Sequence, residues 1–171
     1  MVGEVMSEIL ILGIDPGLVN TGWGVVRVNG THQSFIACGT IKPKTSLPMA
    51  DRLSVIYKQL SDVIETYAVH ECAIEDVFIN KNPDTSLRLG QARGVAMVVG
   101  CIMGLSVSEY QNRMIKKSIT GSGSADKGQM QLMVQRLLPK AVIDSEHSTD
   151  ALAIALTHAS MRTYNNLKTV G

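Results

Sequence analysis

Asp15 closes the apolar run ILILGID, and a carboxylate at the end of a buried strand is costly unless something pairs with it. Strand alternation puts it on one face with Gly13 and Ile11, pointing where the sheet opens into the next loop. The surrounding G-I-D-P-G, followed by Gly22 and Gly24, supplies small residues that would let a metal or a phosphate backbone approach the main chain. A turn aspartate that accepts backbone N–H groups is the structural alternative. Glu75 repeats the arrangement at the end of CAIE. It shares a face with Ala73 and Val77, which leaves Asp76 on the other face as a solvated or capping residue.

A third cluster lies in DSEHSTDALAIALTHA. Asp150 sits near the start of an Ala-rich helix, where the helix dipole favours negative charge, and Asp144 reads as the N-cap. His147 and Glu146 lie three and four residues before Asp150, so either could share its face. Each cluster alone has a structural explanation. Together, two strand ends and a helix are a way to gather dispersed carboxylates. Hard cations such as Mg²⁺ take oxygen ligands, and two ions roughly 3.5–4 Å apart can activate water and stabilise the leaving oxygen in phosphodiester hydrolysis.

The elements that must position these groups follow from periodicity. ILILGID and WGVVRV read as strands, Asn29-Gly30 as a hairpin turn, and His32 to Ile41 as a third strand closing an antiparallel meander. Leu53, Ile56, Tyr57, Leu60, Val63, Ile64 and Tyr67 mark the buried face of a helix. ECAIEDVF is a strand, NKNPDT a polar break, 86–104 a long helix, and LSVSEY a short strand. Helices over 112–118, 125–138 and 145–161 complete the chain, with TGSGS as a loop. A parallel strand after a helical crossover, beside a hairpin, gives an α/β fold with a mixed sheet and helices on its faces. Residues 1–8 read as a loose lead-in, 9–163 as one domain, and 164–171 as a short tail.

Composition narrows the class. Hydrophobic residues are 45 % of 171, but only two Phe, four Tyr and one Trp occur, so the core must be aliphatic. A net charge of +1 does not by itself call for a polyanionic partner. A local surplus runs from Gln111 to Lys140, where Arg113, Lys116, Lys117, Lys127, Arg136 and Lys140 face one acid, Asp126; on charge alone a solvated helical surface is the favoured explanation. Cys38, Cys72 and Cys101 have no ligand or disulfide spacing and read as reduced thiols. No uncharged stretch reaches the roughly 18–20 residues of a membrane span, and no secretory leader is visible, so a soluble, cytoplasmic protein is expected.

Several segments together resemble the RuvC-type Holliday junction resolvases: ILGIDPG with TGWGVV, AIEDVF with NKN and SLRLGQARGVAMV, GSGSADKGQMQ, and DALAIALTHA. They span most of the chain in one order. The resemblance implies a ribonuclease-H-like fold with a mixed five-stranded sheet and helices on both faces. It implies a homodimer that nicks four-way DNA junctions symmetrically in recombination and repair, beside the branch-migration proteins RuvA and RuvB. It assigns metal-ligand roles to Asp15, Glu75 and Asp150, with two Mg²⁺ ions and Mn²⁺ as a substitute. The fourth ligand position, Asp in many members and His in some, is His147 here. Imidazole is a softer ligand than carboxylate, suits Mn²⁺ as well, and makes activity sensitive to its own protonation. We expect His147 rather than Glu146 to face the metals.

The resemblance also places Lys127 near the scissile phosphate, where it would offset developing charge, and makes Lys116 a backbone contact. Phe78 matches an aromatic that stacks on bases at the opened crossover, with a core Phe as the alternative. Arg88 and Arg93, flanking GQARG, either touch phosphates or form ion pairs. Gly90-x-x-x-Gly94 and Gly100-x-x-x-Gly104 bracket a helix of small residues suited to close pairing in a two-fold dimer. Three other readings compete: an RNA-processing nuclease sharing G-I-D-x-G, an actin-like ATPase or sugar kinase, and a junction-binding module without catalysis. The first lacks SLRLGQARG, and the second needs a duplicated domain. Nuclease activity separates the third.

Overall fold

The computed structural model describes residues 8–76 and 82–169, with 163–169 described by backbone alone. The expected lead-in, apart from Glu8, and Phe78 lie outside the described residues. The first apolar run forms β1 (Ile9–Asp15), followed by β2 (Thr21–Asn29) and β3 (His32–Ile41). These three make the antiparallel meander, with Gly30 supplying the left-handed backbone (φ 61°) of its two-residue turn. Helix α1 (Met49–Tyr67) crosses to β4 (Glu71–Asp76), which pairs parallel with β1. Helix α2 (Pro83–Ile102) crosses to β5 (Ser106–Gln111), parallel to β4. Helices α3 (Asn112–Thr120), α4 (Lys127–Leu137) and α5 (Glu146–Thr169) follow. The sheet order is β3-β2-β1-β4-β5, mixed and five-stranded as expected. Among the described residues no helix is long and apolar enough to cross a membrane.

Alternation along β1 divides the core into two layers. Leu12 and Ile14 pack with Ile56 and Leu60 of α1 and with Ala92, Ala96 and Val99 of α2. Ile11 faces the other way, with Ala73, Ile115, Met130, Val134, Leu152 and Leu156 from β4 and α3–α5. Asp15 and Glu75 inherit the second face through the period of two, which aims both carboxylates at the start of α5.

Four local readings are corrected. Helix α2 begins at Pro83, inside the expected polar break, because Asn82 accepts from Asp84 N (3.1 Å) and Thr85 N (3.3 Å) and proline suits the first helical position. Ser145, not Asp144, caps α5: its Oγ accepts from Ser148 N at 3.1 Å, while Asp144 accepts the Ser148 hydroxyl. Helix α5 continues through Thr169, past the expected helix end at Met161. The glycines near Asp15 serve packing rather than ligand approach. Gly13 and Gly24 are cross-strand partners, and Gly22 lies directly opposite Asp15. A Cβ on Gly13 would press on the Ala151 carbonyl and lie 2.7 Å from Ala155 N; one on Gly22 would strike the His147 main chain; one on Gly24 would lie 2.8 Å from Leu152 Cγ. Helix α5 therefore rests directly on the sheet, and with α3 and α4 on its other side its run Ala151–Ala155 is buried all round.

Candidate metal centre

Three elements converge at one end of the sheet. β1 delivers Asp15, the neighbouring parallel strand β4 delivers Glu75, and the first turns of α5 deliver His147 and Asp150. His147 Nδ1 lies 2.9 Å from Asp15 Oδ2, a hydrogen bond, and its Nε2 has no partner among the described residues. Asn112, at the start of α3, donates to Glu75 Oε1 at 2.7 Å. A cleft lined by Glu75, Asn112, Lys116, Lys127 and Asp150 opens beside them.

The electrostatics are those of a site short of positive charge. Burial above all, with the charges of Asp150 and Glu75, raises Asp15 from 3.8 to about 7, against the opposing His147 hydrogen bond. Burial first and Glu75 second raise Asp150 to about 6. Glu75 is raised by burial, with Asn112 and Lys116 pulling the other way. Three carboxyls that resist ionisation because they are buried together, plus an imidazole, form a hard, oxygen-rich donor set that suits a divalent cation. As the side chains stand, no three such donors surround one point among the described residues; Asp15 and His147 bond each other instead.

The remaining expected residues separate into two groups. Lys127, the first residue of α4, reaches across to Glu146 at 2.9 Å, a hydrogen bond that raises its pKa, and it also feels Asp150 and Asp15. Glu146 thus points to the rim and His147 to the carboxylates. Lys116 lines the same cleft. Arg88 pairs with Asp84 at 3.1 Å on the surface of α2. Arg93 is committed to structure: it donates to the Glu75 carbonyl (3.2 Å) and to Asp76 (3.3 Å), and pairs with Glu109. Asp76 is accordingly an ion-pair partner, neither free in solvent nor a cap. Sequence reasoning missed Asn112; its only signal was its place just after the third parallel strand, at the same sheet edge as Glu75. It also missed Arg52, a cation on the apolar face of α1 four residues before Ile56.

A mixed sheet of this order, with helices on both faces and carboxylates at the ends of its two central strands, defines a ribonuclease-H-like α/β protein. A yeast mitochondrial Holliday junction resolvase shares this fold, with a TM-score of 0.65 at 11 % identity over 98 % of this chain and 85 % of that one. The model of the family described as crossover junction endodeoxyribonuclease RuvC matches residues 11–158, and the chain belongs to that family. It is 48 % identical to the crossover junction endodeoxyribonuclease RuvC of Xanthobacter autotrophicus over 92 % of this chain and 93 % of the relative. Thermus thermophilus RuvC, solved in complex with Holliday junction substrate, superposes with a TM-score of 0.85 at 29 % identity, over 92 % and 96 % of the two chains.

Proposed function

We propose that Asp15, Glu75, Asp150 and His147 hold the divalent metal with which this endonuclease hydrolyses phosphodiesters at four-way DNA junctions. The observation that carries this reading is the convergence of three buried carboxyls at one end of the sheet, Asp15 bonded to His147, and Glu75 and Asp150 lining a cleft with Lys116 and Lys127. When bound, the metal would activate water and neutralise charge on the reacting phosphate, Mg²⁺ and Mn²⁺ being the ions this donor set suits and two per site the number the chemistry favours.

The chain's own groups do the rest. Asn112 holds the Glu75 carboxylate by one oxygen at the wall of the cleft both residues line. Lys127 is held at the rim by Glu146 through an exposed pair, a weak tie that a phosphate can replace. From there its ammonium would sit against the scissile phosphate and offset charge on the departing oxygen. Lys116 and Arg88 are the backbone contacts we propose, with Phe78 stacking on an unpaired base. Arg93, already paired twice, would steady the Glu75 main chain rather than touch DNA.

The enzyme would act in the cytoplasm as a homodimer, with RuvA and RuvB as partners. Support for the dimer lies on α2: Leu87, Val98 and Ile102 are exposed, and a Cβ on Gly90 or Gly94 would meet nothing within 4 Å. Gly100 faces the sheet instead, against Val107 and Cys72, and Gly104 lies past the end of α2, so the open stripe is shorter than the sequence indicated.

The test is cleavage of a labelled four-way junction in Mg²⁺ and in Mn²⁺, with linear duplex as control. Paired symmetric nicks on the junction are expected, lost in Asp15→Asn and in His147→Ala but kept in Glu146→Ala. Full activity in His147→Ala together with loss in Glu146→Ala would hand the fourth ligand position to Glu146. Binding without cutting in both metals would leave a junction-binding module.

A further inference from the structure

Arg52 is charged, 7 % exposed, and lies on the apolar side of α1. Among the described residues its guanidinium makes one hydrogen bond, Nη2 to the Leu18 carbonyl at 2.9 Å. Its Nε is buried without any partner, and no carboxylate pairs with it among the described residues. A buried arginine with idle donors and no counter-ion is an unfavourable arrangement unless an anion completes it.

The surroundings say where that anion would lie. Arg52 forms part of the wall of a groove with Leu18, Asn20, Thr85, Arg88 and His147. His147 joins this groove to the carboxylate cluster, so the groove leads directly out of the candidate metal centre. Arg88 stands over it, tied only by an exposed pair to Asp84 of the kind that contributes little and yields easily. Two guanidiniums, one pre-positioned by the Leu18 carbonyl, present planar donor forks suited to phosphate oxygens. Among the described residues no carboxylate lines the groove.

We infer that this groove is a phosphate subsite, in which Arg52 and Arg88 grip a backbone phosphate of the junction strand flanking the scissile one, on the His147 side of the metal centre. The inference rests on the junction-cutting reading above and adds a positioning contact to it. Arg52 acts at a distance from the reacting atoms: it sets the register of the strand, and through Leu18 it couples that grip to the turn that follows Asp15.

Binding of a fluorescent four-way junction, measured by anisotropy in EDTA across a salt series, tests it without calling on the metal. Arg52→Met keeps the length and packing of the side chain and removes its donors. It should weaken junction binding about tenfold near 0.1 M salt and lower the slope of log K against log salt by about one, the signature of one lost phosphate contact. Thr85→Glu is the companion variant. Residue 85 is the third residue of α2, where an acid favours the helix, so this variant is expected to fold while placing a carboxylate in the groove and weakening binding similarly. In the wild type, a single methylphosphonate walked along the cut strand should cost the same affinity at one phosphate and add no further loss in Arg52→Met. Unchanged affinity and slope in Thr85→Glu and in any folded Arg52→Met would overturn the subsite. A wild type that binds junction no better than linear duplex would overturn the junction reading itself, and the subsite with it.

Discussion

Replacing Asp15 by Asn separates what the site costs the fold from what it does. The Asp15 carboxyl stands near 7 in the folded protein, against 3.8 ordinarily, chiefly because the side chain is buried beside two other acids. An acid whose pKa rises on folding penalises the folded state as pH climbs. Below about pH 4 the group is protonated in both states and the penalty vanishes; it grows between pH 4 and 7 and is complete above 7. At about 1.4 kcal/mol per unit, a rise of about three units amounts to about 4 kcal/mol at pH 8. Asparagine can still accept the His147 hydrogen bond and carries no charge to desolvate. Asp15→Asn should therefore be more stable than wild type by about 2–4 kcal/mol at pH 8 in EDTA, a rise in Tm of roughly 5–10 °C for a chain of this size. Thermal melts at pH 8 and near pH 4 read this directly, and the difference should shrink toward zero at the lower pH. Added Mg²⁺ should raise the Tm of wild type and leave the variant almost unmoved. A variant that melts no higher than wild type at pH 8 in EDTA would refute the reasoning.

Other perturbations follow from single contacts. Gly13→Ala sets a methyl on the Ala151 carbonyl, and neither main chain can yield, so a loss of about 3 kcal/mol or more and a cooperative melt at much lower temperature are expected. Lys127→Ala should lower kcat by roughly 10²–10³-fold while junction affinity in EDTA stays nearly constant, since its work is on developing charge; an equal loss in binding would show it to be a simple backbone contact. Val98→Glu, on the exposed apolar face of α2, should give a monomeric mass in sedimentation at micromolar concentration without lowering the Tm of the protomer core.

Much of this architecture is legible in the sequence because two periods carry it. The period of two placed Asp15 and Glu75 on one face, and the helical run after Asp150 placed a third carboxylate at a helix start. What the periods do not say is what covers each face. The glycines beside Asp15 read as room for a ligand, and they turn out to be room for a helix, because Gly13, Gly22 and Gly24 line up only once β1 and β2 pair in register. Arg93 read as a phosphate or ion-pair residue; the choice depended on Asp76 and Glu109 arriving from two different strands. Gly100 and Gly94 look alike in a G-x-x-x-G pattern, but they lie on different sides of α2, one against Val107 and one open. Each of these outcomes is set by long-range pairing, which local spacing does not encode.

Helix α5 meets β1 and β2 main chain to main chain at Gly13 and Gly22, with the Leu152 side chain seated on Gly24. That contact works as a fixed gauge. At Gly13 and Gly22 no side chain stands between strand and helix to swap rotamers, swell or be trimmed, so the spacing of the Asp15 and Asp150 backbones is set there by the thickness of the peptide chain itself. The aliphatic layers on either side can exchange Ile, Leu, Val and Met and still hand the same spacing to the chemistry. The calibration of the site resides in residues that have no side chain at all.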